Sequence, residues 1–203
     1  MRLCFWADAA NEGGGAEPRR QRVDRLLRQT LAPLLQLPAD ALQFGREAHG
    51  RPFLRHADAP DFNLTDTRGG TLIGIAPRGQ LGVDMERNAR QPPVQRLARR
   101  WFSAAESEQL QALPAGAAAL AFLRLWTAKE ASCKATGTGI FGYLHKWQFA
   151  LEPDQPRLVA APGAAGDPSR WQFQRFSPTP ELTAVLALQD MTPQVHAVFS
   201  MLD

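Results

Sequence analysis

Three short stretches place ionisable side chains where they could act together. In Gly82-Val83-Asp84-Met85-Glu86 the two acids are two residues apart, so on a β-strand they project from one face. Carboxylates set side by side repel one another unless a cation lies between them, and Mg²⁺ beside phosphates is held by such hard oxygens with water completing its shell. Taken alone, the segment also reads as a solvated strand end with one acid meeting Arg87. In Trp126-Thr127-Ala128-Lys129-Glu130-Ala131-Ser132-Cys133-Lys134, helical spacing puts Trp126, Glu130 and Lys134 on one face, with Lys129 a step of about 100° away from Glu130. Glu130 and Lys134 could form an ordinary surface pair worth about 0.2–0.5 kcal/mol. An ammonium is equally a point-charge partner for phosphate, and two of only three lysines in the chain fall in this stretch. The third stretch, Trp101-Phe102-Ser103-Ala104-Ala105-Glu106, reads as a capped helix start, with Ser103 and Glu106 spaced for a reciprocal cap.

The elements that must position these residues follow from periodicity. Leu3 and Phe5 mark an edge strand, and Asn11 to Gly15 a break. Val23, Leu26, Leu27, Thr30, Leu31 and Leu34 recur at three-and-four spacing, which predicts a helix from Arg19 to Gln36 with an arginine-rich outer face, ended by Pro38-Ala39-Asp40. A turn at His49–Pro52 precedes short strands at Phe53–Leu54 and Phe62–Thr65. Thr71–Ala76 and Leu81–Met85, separated by Pro77-Arg78-Gly79-Gln80, read as a β-hairpin. Helices are expected over Val94–Phe102, Ser103–Leu113 and Ala117–Thr136, the last closed by Gly137. Strands follow at Trp147–Leu151, Trp171–Phe176, Leu182–Leu188 and Val195–Phe199. This order predicts an α+β fold of two similar lobes, residues 1–80 and 81–203, each a small antiparallel sheet packed with a long helix.

Composition limits the classes. At 203 residues with 44% hydrophobic and 21% charged residues, the chain can bury a core without disulfides or metal staples. Cys4 and Cys133 alone make neither a disulfide framework nor a four-thiolate zinc site. No apolar run reaches membrane-helix length, and the N-terminus lacks a secretory apolar region, so a cytoplasmic protein is expected. The formal charge is +3, carried by dispersed arginines. That excess suits a phosphorylated small molecule, an acidic protein or a nucleic acid. With one Tyr and no zinc pattern, a nucleic-acid reader on the Arg19–Arg28 helix is the weaker reading.

In order and spacing the three stretches resemble the 4′-phosphopantetheinyl transferase superfamily, in its two-lobed monomeric, surfactin-synthetase-activating branch. Gly82–Glu86, Phe102–Glu106 and Trp126–Lys134 match its three motifs. Gly137-Thr138-Gly139-Ile140, Gly50-Arg51-Pro52 and Phe62-Asn63-Leu64-Thr65-Asp66-Thr67 resemble its lesser elements. The likeness covers about residues 19–150. Thr65-Asp66 stands where the family has Ser-His, and the segment before Arg19 is short.

The resemblance implies lobes related by a pseudo-two-fold. It implies transfer of the 4′-phosphopantetheine arm of coenzyme A to a serine of an apo acyl or peptidyl carrier protein, with release of adenosine 3′,5′-bisphosphate. By the same resemblance Asp84, Glu86 and Glu130 would hold Mg²⁺. Glu130 would also be the general base, and Lys134 would offset charge on the leaving phosphate. Lys129, Arg51, Arg20, Arg28 and Thr65 would contact coenzyme A. Trp126 would pack the lobe interface. A monomer is expected, with neither membrane nor nucleic acid as partner. The alternative is a non-catalytic coenzyme A or carrier binder of the same fold, suggested by Asp66.

Overall fold

The computed structural model describes residues 1–7, 18–151 and 154–190. Strand β1 (Arg2–Ala7) lies beside β5 (Gly70–Ala76), which is hydrogen-bonded on its other edge to β4 (Asp61–Thr67), both antiparallel. A second antiparallel sheet runs β6 (Gln80–Arg87), β10 (Leu182–Gln189), β9 (Trp171–Phe176). Two small ladders accompany them: β2 (Phe44–Arg46) with β3 (Pro52–Leu54), and β7 (Gln148–Ala150) with β8 (Arg157–Ala160). The helices are α1 (Arg19–Leu35), α2 (Val94–Trp101), α3 (Ala104–Gln111) and α4 (Ala115–Thr136). Mixed α and antiparallel β, with a long helix on each main sheet, is the predicted class. The strand expected at Val195–Phe199 and the break at residues 11–15 lie outside the described residues.

The central strands of the two main sheets, β5 and β10, are buried on both faces, and strand alternation sorts the side chains into layers. Leu3, Phe5, Leu72 and Ala76 meet Leu81, Val83, Met85, Leu182, Ala184, Leu186 and Leu188 in a core between the sheets. The intervening residues Cys4, Trp6, Ile73 and Ile75 face outward onto Leu26, Leu27 and Leu31 of α1. On the far side, Val185 and Ala187 pack under α4 with Phe122, Trp126 and Ala131. Trp126 thus belongs to the core under α4, stacked on Phe122 at 5.6 Å. The order is helix, sheet, sheet, helix. No helix among the described residues is long and apolar enough to cross a membrane.

The hairpin expected between residues 71–76 and 81–85 does not form. β5 pairs with β4 through the two-residue turn Arg68-Gly69, where Gly69 has φ +118°, and with β1 on its other edge. Both edges of β5 are taken, so Pro77-Arg78-Gly79 carries the chain across to start the other sheet. β6 instead lies alongside β4, in the same direction, joined by side chains. The carboxylate of Asp61 accepts the Leu81 N–H at 2.8 Å, and the Asn63 side-chain oxygen accepts the Val83 N–H at 3.1 Å. Two backbone donors that would otherwise be orphaned at a buried sheet edge are satisfied in this way.

Candidate active site

The acidic residues are assembled at the crossing of β6 and α4. On β6, Gly82 faces the helix; a Cβ there would stand 2.5 Å from the Ala135 nitrogen and closer still to the Ala131 carbonyl oxygen. Only glycine permits that approach. Glu130 and Lys134, one turn apart on the same helix face, are thereby brought onto Asp84, two residues along the strand from Gly82.

Asp84 is buried. One carboxylate oxygen accepts the Lys134 Nζ at 2.6 Å and the Thr65 hydroxyl at 3.2 Å; the other is enclosed and has no hydrogen-bond partner. Glu86 is paired with Arg90. Burial, and then the charge on Asp84, raises the Glu86 carboxyl above its ordinary range. Glu130 is pushed up to about 7, first by burial and then by Asp84, with Glu86 adding and Lys134 opposing. For Lys134, burial pulls downward, but Asp84 and Glu130 outweigh it, so the ammonium is held more firmly than usual. Cys133, also on the cavity wall, has its thiol pushed up to about 12 by burial and stays protonated.

Three mutually repelling carboxylates and an unpaired buried oxygen suit a divalent cation, and hard oxygens are what Mg²⁺ takes. Among the described residues, no three His, Cys, Asp or Glu side chains already close around one point. Lys134 occupies one oxygen of Asp84, and Arg90 engages Glu86. The donor types fit a cation, but Lys134 and Arg90 must yield these oxygens before all three carboxylates could close on one.

These groups line a cavity of about 890 Å³ whose opposite wall comes from α1, the β2–β3 turn and β4: Arg19, Arg20, Arg46, His49, Thr65 and Asp66. Asp66 points toward α1, where it accepts from Arg19, Arg22 (2.9 Å) and the Thr71 hydroxyl, and its side chain is only 4% exposed. Its charge is answered by these arginines.

Other expected contacts are placed differently. Arg51 is at the cavity wall, but most of its donors are committed. Nε–H donates to the Lys134 carbonyl at 2.9 Å, and one terminal nitrogen spans both Asp61 oxygens at 2.8 and 2.9 Å, while the other faces Glu47 at 3.5 Å. It ties the end of α4 to β4. Arg28 is not on the cavity: it bonds Asp24 and the carbonyls of Ala39 and Leu42 and lies over Phe44, fastening α1 to the segment after it.

Lys129 is the clearest correction. The step of about 100° that separates it from Glu130 turns it into the core, where it is fully buried and cannot reach a ligand in the cavity. Its Nζ donates to Glu106 at 2.8 Å and to the carbonyls of Leu144 and Trp147, beneath the ring of Phe102. Burial lowers its pKa against the pull of Glu106. Glu106 also completes the predicted cap with Ser103 and accepts the Phe149 N–H at 3.0 Å, so this pair holds α3, α4 and β7 together. Lys129→Met leaves Glu106 buried without its cation and is expected to lower stability by about 3–5 kcal/mol. Urea denaturation checks this, and adding Glu106→Gln should recover part of the loss.

Residues 80–189 match the 4′-phosphopantetheinyl transferase superfamily. Two cyanobacterial relatives carry the likeness further. The slr0495 protein of Synechocystis sp., described as a candidate 4′-phosphopantetheinyl transferase, is 38% identical over 72% of this chain and 59% of its own length. The 4′-phosphopantetheinyl transferase HetI of Nostoc sp. is 31% identical over 80% of this chain and 67% of its own. Among solved structures, the holo-[acyl-carrier-protein] synthase of Thermotoga maritima aligns over 56% of this chain and 64% of its own, with 19% identity and a TM-score of 0.42. The chain belongs to the 4′-phosphopantetheinyl transferase superfamily. It spans about three fifths to two thirds of the length of these two relatives.

Proposed function

We propose that the chain transfers the 4′-phosphopantetheine arm of coenzyme A to a serine of an apo acyl or peptidyl carrier protein, releasing adenosine 3′,5′-bisphosphate. The observation that carries this reading is the meeting of Asp84, Glu130 and Lys134 on one cavity wall, with one oxygen of Asp84 buried and unpartnered.

Glu130 is the base: a carboxylate raised to about 7 takes the serine proton near neutral pH more effectively than one at the ordinary value. The serine oxygen forms its bond to the β-phosphorus as the bond to the leaving phosphate oxygen breaks. Lys134 holds its proton firmly and faces the charge that develops on that oxygen. Asp84, Glu86 and Glu130 would hold Mg²⁺, which supplies charge neutralisation at the diphosphate. On the opposite wall, exposed Arg20, with Arg46 and His49 beside it, faces the nucleotide phosphates, and Thr65 helps to fix Asp84. The protein is read as a cytoplasmic monomer; its free, buried Cys4 and Cys133 suit a reducing compartment.

The test is to incubate the protein with Mg²⁺, coenzyme A and an apo acyl carrier protein and to weigh the carrier. A mass gain of one phosphopantetheine arm is expected. An unchanged carrier mass with all components present would overturn the reading.

A further inference from the structure

Arg51, just before β3 in the β2–β3 turn on the cavity wall, carries a charge that the protein itself answers. Its side chain is 9% exposed, and both Asp61 and Glu47 face it. Asp61 lies behind it and does not line the cavity. A phosphate entering from the cavity would have to displace a carboxylate already bonded to Arg51 at 2.8 and 2.9 Å. Such a guanidinium is placed to hold protein, not ligand.

What it holds is the frame of the contact between Lys134 and Asp84. The Lys134 carbonyl belongs to the last turn of α4, where no further helical N–H follows, and the Gly137 N–H reaches it only at 3.4 Å. Arg51 Nε–H donates to that carbonyl at 2.9 Å, and a cation at this end also suits the helix dipole. On the other side of the same planar group, the nitrogen that meets Asp61 also donates to the Leu81 carbonyl at 3.2 Å. Asp61 in turn accepts the Leu81 N–H, so both backbone groups of the residue before Gly82 are fixed to this pair. Gly137 leaves space for the approach, since a Cβ there would stand 3.3 Å from Arg51 Cδ and closer still to a Glu47 carboxylate oxygen. Close packing at Gly82 sets how near α4 comes to β6, but it does not stop the helix from turning or sliding on the strand. A guanidinium whose donors point in fixed directions does.

We infer that Arg51, held by Asp61, is a positioning residue for the transfer step: it fixes the last turn of α4 on β6 so that the Lys134 ammonium stays on Asp84. The role rests on the transfer reading for the step it serves. Without the brace, Lys134 would wander from its place while the walls that bind coenzyme A stay as they are. A displacement of about 1 Å in a reacting group can cost about 10²-fold in rate, so the loss should fall on turnover and not on affinity.

Arg51→Lys keeps the charge beside Asp61 and Glu47, so the fold should persist. A single ammonium on a flexible stem cannot span the Lys134 carbonyl, the Leu81 carbonyl and Asp61 together. Asp61→Asn keeps an oxygen for the Leu81 N–H and removes the charge that holds Arg51. Both variants are expected to lower kcat for carrier modification about tenfold or more, with the coenzyme A Kd from calorimetry within about threefold of wild type. A second readout needs no turnover, because the chain has only three lysines and acetic anhydride labelling of each is resolved by peptide mass spectrometry. Exposed Lys146 is the reference, fully buried Lys129 reports loss of fold, and Lys134 reports the brace. Labelling of Lys134 relative to Lys146 should rise about threefold or more in both variants, as the amine leaves its carboxylate, with Lys129 still protected. Unchanged Lys134 labelling, Lys129 labelled along with it in both variants, or a weakened coenzyme A affinity at wild-type kcat would overturn the inference. So would a kcat within about twofold of wild type in both variants of an active protein. Faster Lys134 labelling in the variants, when the wild type adds no mass to the carrier, would uphold the brace and refute the transfer reading.

Discussion

Glu130→Gln is expected to lower carrier modification by at least about 10²-fold, the scale of a positioned general base, and to do so without loss of fold. The substitution keeps the side chain's shape and removes its charge, and on the proposed roles it takes away the base and one of the three carboxylates proposed to hold the cation together. Stability should move the other way. In the folded protein the Glu130 carboxyl titrates at about 7, above its ordinary value of 4.5, because burial and then Asp84 disfavour the charged form. The folded state therefore binds a proton more tightly than the unfolded chain. Its stability falls as pH rises from the ordinary carboxylate range through about 7. In divalent-free buffer at pH 8 the glutamine variant should melt above wild type, and the gap should close as pH drops below the ordinary carboxylate value. Thermal melts at the two pH values, beside carrier mass spectra, check both halves. An active variant, or one that melts lower at pH 8, would contradict the assignment.

Gly82→Ala should be nearly as damaging, for a reason with no charge in it. The added methyl would collide with the backbone of α4 at Ala131 and Ala135, and backbone atoms have no rotamer to escape into. Helix and strand must separate, at the cost of about 1–3 kcal/mol typical of overpacking. The move would also open the 2.6 Å contact between Lys134 and Asp84. A misplacement of about 1 Å in a reacting constellation can cost about 10²-fold in rate, so activity should fall even in molecules that stay folded. Gly116→Ala, near the start of the same helix with nothing close to the added carbon, is the matched control. A lowered urea midpoint for the first variant and none for the second is the expected pair of results.

Much of this arrangement was legible in the residues. Helical periodicity located α1 and α4 to within two residues, and the spacing of Ser103 and Glu106 announced the cap that the structure contains. Spacing of two on β6 and four on α4 placed the acids and Lys134 on single faces. What remained hidden depends on contacts distant in sequence. An apolar run flanked by turns does not show which neighbour it pairs with, and β5 chose β4 and β1 over β6. Helical spacing separates Lys129 from Glu130 but does not say which side is core and which is cavity. The charge of Arg51 does not reveal that Asp61 and Glu47 of the same protein engage it before any phosphate could. Gly82 was part of a motif, but its purpose needed the helix that crosses it.

The junction of β4 and β6 bears on how the chain tolerates insertion and deletion. Ordinary strand pairing is a repeating ladder that can slip by two residues and find equivalent partners. Here Asp61 and Asn63, on alternate positions of β4, read Leu81 and Val83 on alternate positions of β6, and Thr65 meets Asp84. A residue added within β4 would swing the downstream side chains to the opposite face, toward α1, and leave the corresponding amides without acceptors. The junction thus works as a lock cut for one alignment. Length changes should be admitted in the surface turn around Arg78 and barred from residues 61–65, and a survey of viable single-residue insertions along the gene would show that gap.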